Sequence, residues 1–163
     1  MSAAQAQGSG CKLFRVEVPD ARAYASNFVA AKAVDYVEVE RYVDEVAERD
    51  EGVAKMLDEL VVRGGWPPAA YAYTYCRLKN FRTALLVEDG ATEAWDVVVF
   101  DLPEDEAKRI VSDMLGYINA IERASDAILD DEERADFDTR CYLLAGGRPG
   151  ECLAKANEIL AKA

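Results

Sequence analysis

The sequence predicts an α+β fold in which an antiparallel sheet of three to four strands carries amphipathic helices on one face. Apolar residues recur at helical spacing in two long stretches, 39–60 and 104–129. Short runs rich in β-branched residues, bounded by Gly, Pro and Asp, are typical of strands. Because the strands cluster rather than alternate with helices, the order favours α+β over a chain of βαβ units.

The size and composition predict one domain. The chain has 163 residues, of which 51% are hydrophobic and 31% charged, enough to fill a core and keep the surface polar. Residues 1–10 are small and polar, so we expect a flexible tail there. The single α+β domain is then expected to span residues 11–163.

The first third of the chain predicts a strand followed by helices. Residues 11–18 alternate partly and are β-rich, which predicts a strand. Asp20 is a suitable helix cap, and the helix is expected to run to about Val34. The stretch 39–60 predicts one long helix or two short ones that break near Gly52.

The centre of the chain predicts a meander of strands. Strands are expected at 70–78, 83–88 and 94–102, because each run is rich in β-branched or aromatic residues. Asp89-Gly90 between the last two is typical of a hairpin. The strongest helix of the chain is predicted to follow, over 104–129.

The last part of the chain predicts two further helices. The acidic run 130–133 marks a break and a new helix start. Gly146-Gly147 is expected to end that helix. A last helix is predicted from about Gly150 to Ala163.

The charge narrows the classes of partner. The formal net charge is −12, so the overall field repels nucleic acid and anionic lipid. No apolar run is long enough for a membrane helix, and the first residues lack the apolar centre of a signal peptide. We therefore expect a cytoplasmic protein with no membrane contact. The scarcity of amide side chains fits a hot or salty habitat, although high-GC coding bias has the same effect.

The cysteines do not form a metal-binding pattern. Cys11, Cys76, Cys141 and Cys152 are widely spaced, and the chain has no His, so neither a metal nor a cofactor is expected. The same absence of His excludes Ser-His-Asp and Cys-His catalysis. The thiols are either buried or paired, and Cys141 and Cys152 could meet across the Gly-rich turn between them.

One window of the sequence stands out as a candidate surface. No Asp or Glu occurs between residues 60 and 87, although the chain carries 31 of them. If 70–79 is a strand, small residues lie on one side, and large aromatic and basic residues lie on the other. Aromatic and Arg side chains are common interface anchors. The predicted partner-binding residues are Trp66, Tyr71, Tyr73, Tyr75, Arg77, Lys79 and Arg82.

Several functions fit this window. The leading hypothesis is a non-catalytic protein-binding or assembly subunit that contacts a protein partner, or another copy of itself, through residues 66–82. The alternative is a small-molecule-binding or catalytic domain that holds an anionic ligand in a pocket between sheet and helices, through Tyr71, Tyr73 and Arg77. Single-stranded nucleic-acid binding is less compatible with the charge. A purely structural role for the rings is the competing explanation.

Overall fold

A mixed sheet of four strands organises the chain. The computed structural model describes residues 10–28, 31–90 and 93–163, so the predicted tail falls almost entirely outside the described residues. The strands are β1 (Lys12–Val18), β2 (Lys32–Asp35), β3 (Thr83–Asp89) and β4 (Ala94–Phe100). Their order across the sheet is β1-β3-β4-β2.

The strand directions correct the prediction of an antiparallel sheet. Strand β4 is antiparallel to both β3 and β2, as expected. Strand β1 pairs with β3 in parallel, with Lys12 opposite Thr83 and Val18 opposite Asp89. A parallel pair requires a long crossover connection, and residues 19–82 supply it. The α+β class is confirmed, whereas the purely antiparallel sheet is not.

Seven α-helices and one π-helical turn complete the described ranges. They are α1 (Ala21–Phe28), α2 (Tyr36–Arg49), α3 (Glu51–Gly64), α4 (Pro67–Leu78), α5 (Glu104–Ala127), α6 (Asp131–Phe137), the π-helical turn (Asp138–Tyr142) and α7 (Pro149–Lys162). None of the helices in the described ranges combines the length and apolar character needed to cross a bilayer.

Most predicted boundaries agree with the structure. The long stretch 39–60 forms two helices, and the break is at Asp50, whose side chain accepts hydrogen bonds from the backbone N–H groups of Gly52 and Val53. This is a normal N-cap arrangement. Helices α5 and α7 also lie where the apolar spacing placed them.

The first predicted helix is too long. Helix α1 ends at Phe28, and residues 32–35 form β2 instead of a continued helix. Val34 lies opposite Val97 of β4 and is 4% exposed. Its β-branched side chain therefore gains more from burial at the sheet edge than from a further helical turn.

The predicted strand at 70–78 is wrong, because these residues form helix α4. Pro67 and Pro68 occupy the first turn, where their fixed φ favours a helix and their missing N–H groups are not needed. Alanines follow at 69, 70 and 72, and Ala has the highest helix propensity. The alternation of small and large residues was compatible with a strand but did not require one.

Helices cover both faces of the sheet, whereas the sequence predicted helices on one face. Leu85 and Val87 of β3 belong to a core with α1, α5 and α7. Leu86, between them, belongs to a second core with α2, α3 and α4. All three side chains are fully buried. A strand that is apolar at consecutive positions needs cover on both sides.

The larger core lies under α5 and includes two buried tyrosines. The Tyr117 hydroxyl donates a hydrogen bond to the carbonyl of Cys141 at 2.6 Å, and that of Tyr24 donates to the carbonyl of Tyr142 at 2.8 Å. Cys141 forms a disulfide with Cys152, which resolves the alternative that the sequence left open. The π-helical turn is thus fixed to the core and to α7.

Truncation of neighbouring residues on β3 tests the two-sided packing. We expect Leu85→Ala and Leu86→Ala each to lower the free energy of unfolding by about 2–5 kcal/mol, because each leaves a cavity in a different core. Val62→Ala is the control: Val62 is 84% exposed, so its effect should stay within about 0.5 kcal/mol. Denaturant unfolding measures all three. If Leu86→Ala were as mild as Val62→Ala, the second helical layer would be contradicted.

A buried carboxyl at the end of the sheet makes stability depend on pH. Asp96 of β4 is 6% exposed, and its nearest cation is Arg22, with Nη2 at 3.6 Å from Oδ1. Arg22 also pairs with the exposed Asp35. Burial raises the pKa of Asp96, Arg22 opposes this, and the carboxylates of Asp89 and Asp20 raise it further.

The sign of this pKa shift predicts the effect of neutralising Asp96. A carboxyl whose pKa is raised by folding stabilises the protein when protonated, and that contribution is lost as the pH rises through the folded pKa. We expect Asp96→Asn to raise the melting temperature at pH 7, and the difference from the wild type to shrink towards pH 3. The control, Asp35→Asn, removes an exposed carboxylate from the same Arg22 and should not stabilise. Melting curves across this pH range would contradict the assignment if Asp96→Asn destabilised at pH 7.

Candidate functional site

Helix α4 distributes the predicted partner-binding residues over different faces. Side chains four residues apart lie on the same face of a helix, whereas side chains two apart lie on nearly opposite faces. Tyr71, Tyr75 and Lys79 therefore share one face, and Tyr73 and Arg77 share another. Trp66 precedes the helix, and Arg82 follows it. The single stripe expected from a strand does not exist.

Trp66 belongs to a cluster that spans the sheet. Its ring packs edge-on against Trp95 of β4 at 5.2 Å between centroids. The guanidinium of Arg15, on β1, lies 4.4 Å from the centroid of Trp66 and 5.9 Å from that of Trp95. Such cation–π contacts hold a charged group against an aromatic face. No motif in the sequence marks Arg15 or Trp95, so only the fold brings the three together.

Two carboxyl groups border this cluster. Glu17 of β1 and Glu88 of β3 are paired in the parallel register, and Glu88 is opposite Trp95 on the other side. The pKa of Glu88 is raised, first by its hydrogen bond with Glu17 and also by burial and the negative charge of Glu17; Arg15 opposes the shift.

Tyr71 faces helix α2. Its hydroxyl donates a hydrogen bond to Oδ1 of Asp44 at 2.7 Å, and its ring packs edge-on against Tyr36 at 6.3 Å. Burial, the hydrogen bond and the carboxylate charge of Asp44 raise the pKa of Tyr71 to about 12. The acidic partner that is missing from residues 60–87 is thus supplied by α2 of the same chain.

Tyr75 and Lys79 also pack against α2. Tyr75 is buried and lies edge-on to Tyr42 at 5.5 Å. The ammonium of Lys79 lies 4.2 Å from the centre of the Tyr42 ring. A cavity of about 210 Å³ opens beside them, lined by Glu38, Arg41, Tyr42, Glu45, Tyr75 and Lys79. Its lining contains two carboxylates, of Glu38 and Glu45, and two cations, of Arg41 and Lys79.

The remaining predicted residues point away from α2. Tyr73 is half-buried and packs against a small cluster of Cys11, Cys76 and Ala84. Arg77 is exposed, and it forms no ion pair with any residue of the described ranges. Arg82 is exposed and pairs with Asp101, with Nε at 3.3 Å from Oδ1.

The cations at the end of α4 are more exposed than its rings, although Lys79 lies over the Tyr42 ring and Arg82 pairs with Asp101. Lys12, Arg77, Lys79 and Arg82 are all exposed. They lie where β1 and β3 begin and α4 ends. The backbone N–H of Cys11 donates a hydrogen bond to the carbonyl of Arg82, which holds the start of β1 beside the start of β3. We call these four residues the basic end. The tyrosines pack α4 against its neighbours, as a purely structural role for the rings would require.

A further cavity lies away from α4. It measures about 420 Å³ and is bounded by α6, the π-helical turn and α7, including the Cys141–Cys152 disulfide. None of the predicted partner-binding residues lines it. Within the described ranges, no three acidic or cysteine side chains are arranged to hold a metal ion. No family model, curated protein or solved structure matches this chain.

The Trp66 cluster gives a direct spectroscopic test. Trp66 and Trp95 are the two tryptophans of the chain, so intrinsic fluorescence reports this cluster. We expect Arg15→Ala to shift the emission to longer wavelength, because water replaces the guanidinium over the ring, and to destabilise by about 0.5–1 kcal/mol. Lys12→Ala, on the same strand, should leave the spectrum unchanged. An unchanged spectrum for Arg15→Ala would contradict the stacked geometry.

Proposed function

We propose that this protein is a non-catalytic assembly subunit and that the basic end binds an acidic surface of a second copy. The observation that supports this most directly is the exposure of Lys12, Arg77, Lys79 and Arg82 in a chain whose net charge is −12. A local basic surface on an acidic protein attracts the surfaces that the rest of the molecule repels. Copies of the same chain provide such surfaces.

The complementary surface on the second copy is the exposed acidic side of α6. Asp131, Glu132, Glu133 and Asp136 are exposed there. Between residues 88 and 139 the chain carries 17 acidic and 4 basic residues, so this region has the strongest negative charge of the sequence. Opposite charges on two surfaces increase the association rate and fix the orientation of the partners.

The fold places these two surfaces on different layers. Helix α4 packs on the side of the sheet that buries Leu86, whereas α6 and the π-helical turn belong to the core on the other side, through Phe137 and Cys141. Because the two surfaces lie on opposite sides of the sheet, we expect a heterologous contact that joins copies head to tail into a ring or an open chain. A symmetric dimer through the basic end would instead bring like charges together.

Charge reversal at the basic end tests the proposal. We expect the wild type to show a mass above that of one chain by light scattering at low salt and to dissociate at high salt, because salt screens exposed charges. The variant that combines Arg77→Glu with Lys79→Glu should have the mass of one chain at both salt concentrations. The matched control is Arg63→Glu, an exposed cation of the same acid-free window that lies before α4.

A second variant, with two substitutions in α6, makes the test specific for that helix. Asp131→Lys with Glu132→Lys should also have the mass of one chain alone, but should re-form larger species when mixed with the Arg77→Glu, Lys79→Glu protein. Circular dichroism checks that each variant is folded. A wild type that stays a single chain at low salt would overturn the proposal. So would assembly of the Arg77→Glu, Lys79→Glu protein to the same mass as the wild type.

A further inference from the structure

The four cysteines lie far apart in the sequence, yet they meet in two pairs. Cys141 and Cys152 form a disulfide. Cys11 and Cys76, 65 positions apart, are free thiols in one small buried cluster with Ala84. A buried cysteine packs well against any apolar side chain. Packing alone therefore does not favour two cysteines as neighbours. The pairing indicates that the second couple also has a shared chemistry.

The two thiols converge on a single oxygen atom. Sγ of Cys11 donates a hydrogen bond to the carbonyl oxygen of Phe81 at 3.1 Å, and Sγ of Cys76 donates to the same oxygen at 3.2 Å. The backbone holds this arrangement, since the N–H of Phe81 donates to the carbonyl of Cys76 at 3.0 Å. The sulfurs are therefore neighbours, fixed by the turn between α4 and β3.

The backbone of Cys11 also indicates that the side chain has a role. Its φ is +57°, in the left-handed region that residues other than Gly, Asn and Asp rarely adopt. A glycine would satisfy the same turn without strain. A cysteine at this position keeps a thiol within reach of Cys76 at a conformational cost.

We propose that Cys11 and Cys76 are a peroxide-sensitive dithiol that closes a second disulfide between the start of β1 and the end of α4. Hydrogen peroxide, or a small hydroperoxide of the same class, is the oxidant. The bond would connect the two elements that carry the basic end. This inference does not depend on the assembly function.

The chemistry proceeds in two balanced steps. The Cys11 thiolate attacks one peroxide oxygen and breaks the O–O bond; the released hydroxide takes up a proton to give water, and Cys11 becomes a sulfenic acid. The sulfur of Cys76 then attacks the Cys11 sulfur and expels hydroxide, which takes the Cys76 proton to give a second water. Two thiols and one peroxide thus give one disulfide and two waters.

The surroundings assign these roles to the two cysteines. Cys76 lowers the pKa of Cys11 through a hydrogen bond to its thiolate, and the charge of Arg77 lowers it further, whereas burial opposes both. The pKa of Cys76 is raised, by its interaction with Cys11 and by burial. The thiolate is the reactive form of cysteine, so Cys11 reacts first and Cys76 resolves the intermediate.

The experiment uses the full chain with hydrogen peroxide as the probe. The reduced protein is treated with peroxide, remaining thiols are blocked under denaturing conditions, and the digest is examined by mass spectrometry without reduction. We expect a peptide pair joined through Cys11 and Cys76. In the Cys141→Ser, Cys152→Ser variant, oxidation should raise the melting temperature by about 10 °C, because closing a loop of this length restricts the unfolded chain.

Matched variants separate the proposal from general oxidation. Cys11→Ser should block the cross-link and leave Cys76 as a free thiol, and Cys76→Ser should trap the sulfenic acid on Cys11, which dimedone labels. The wild-type digest alone decides the question if the double-serine variant does not fold. Recovery of Cys11 and Cys76 as free or separately overoxidised residues in the oxidised wild type would overturn the proposal. So would a link from either of them to Cys141 or Cys152.

Discussion

The burial of β3 on both faces is the constraint on which the rest of the structure depends. Ala84, Leu85, Leu86 and Val87 are completely buried, and consecutive residues of a strand point to opposite sides. Each side therefore needs its own apolar cover. The stretch after β4 supplies one layer through α5 and α7, and the stretch before β3 must supply the other. That requirement determines the conformation of residues 67–78.

The same constraint explains the division of roles along α4. A helix in that position buries small residues such as Ala72 and Cys76 against the sheet, which allows the backbone to approach β3 closely. Its tyrosines then meet α2, whose carboxylate at Asp44 accepts a hydrogen bond from Tyr71. Long cationic side chains remain in water, because burying them would require partners that the window does not contain. The basic end is what is left exposed.

The sequence predicted the elements whose pattern is independent of the rest of the fold. Helix α5 has a continuous apolar stripe, and β4 has a run of valines, so both are determined locally. Residues 70–78 are different: Ala-Tyr-Ala-Tyr-Thr-Tyr-Cys alternates like a strand and contains good helix formers, and only tertiary packing decides between them. The Arg15–Trp66–Trp95 cluster depends on the parallel pairing of β1 with β3, which no local pattern indicates.

The two cysteine pairs lie on opposite sides of the sheet, one in each helical layer. Cys141–Cys152 fixes the layer that contains α7, and Cys11 and Cys76 lie between the sheet and α4. Arg77 connects the second pair to the surface, because it belongs to the basic end and its charge also acts on Cys11. A partner carboxylate bound at Arg77 would offset that charge and make the Cys11 thiolate less favourable.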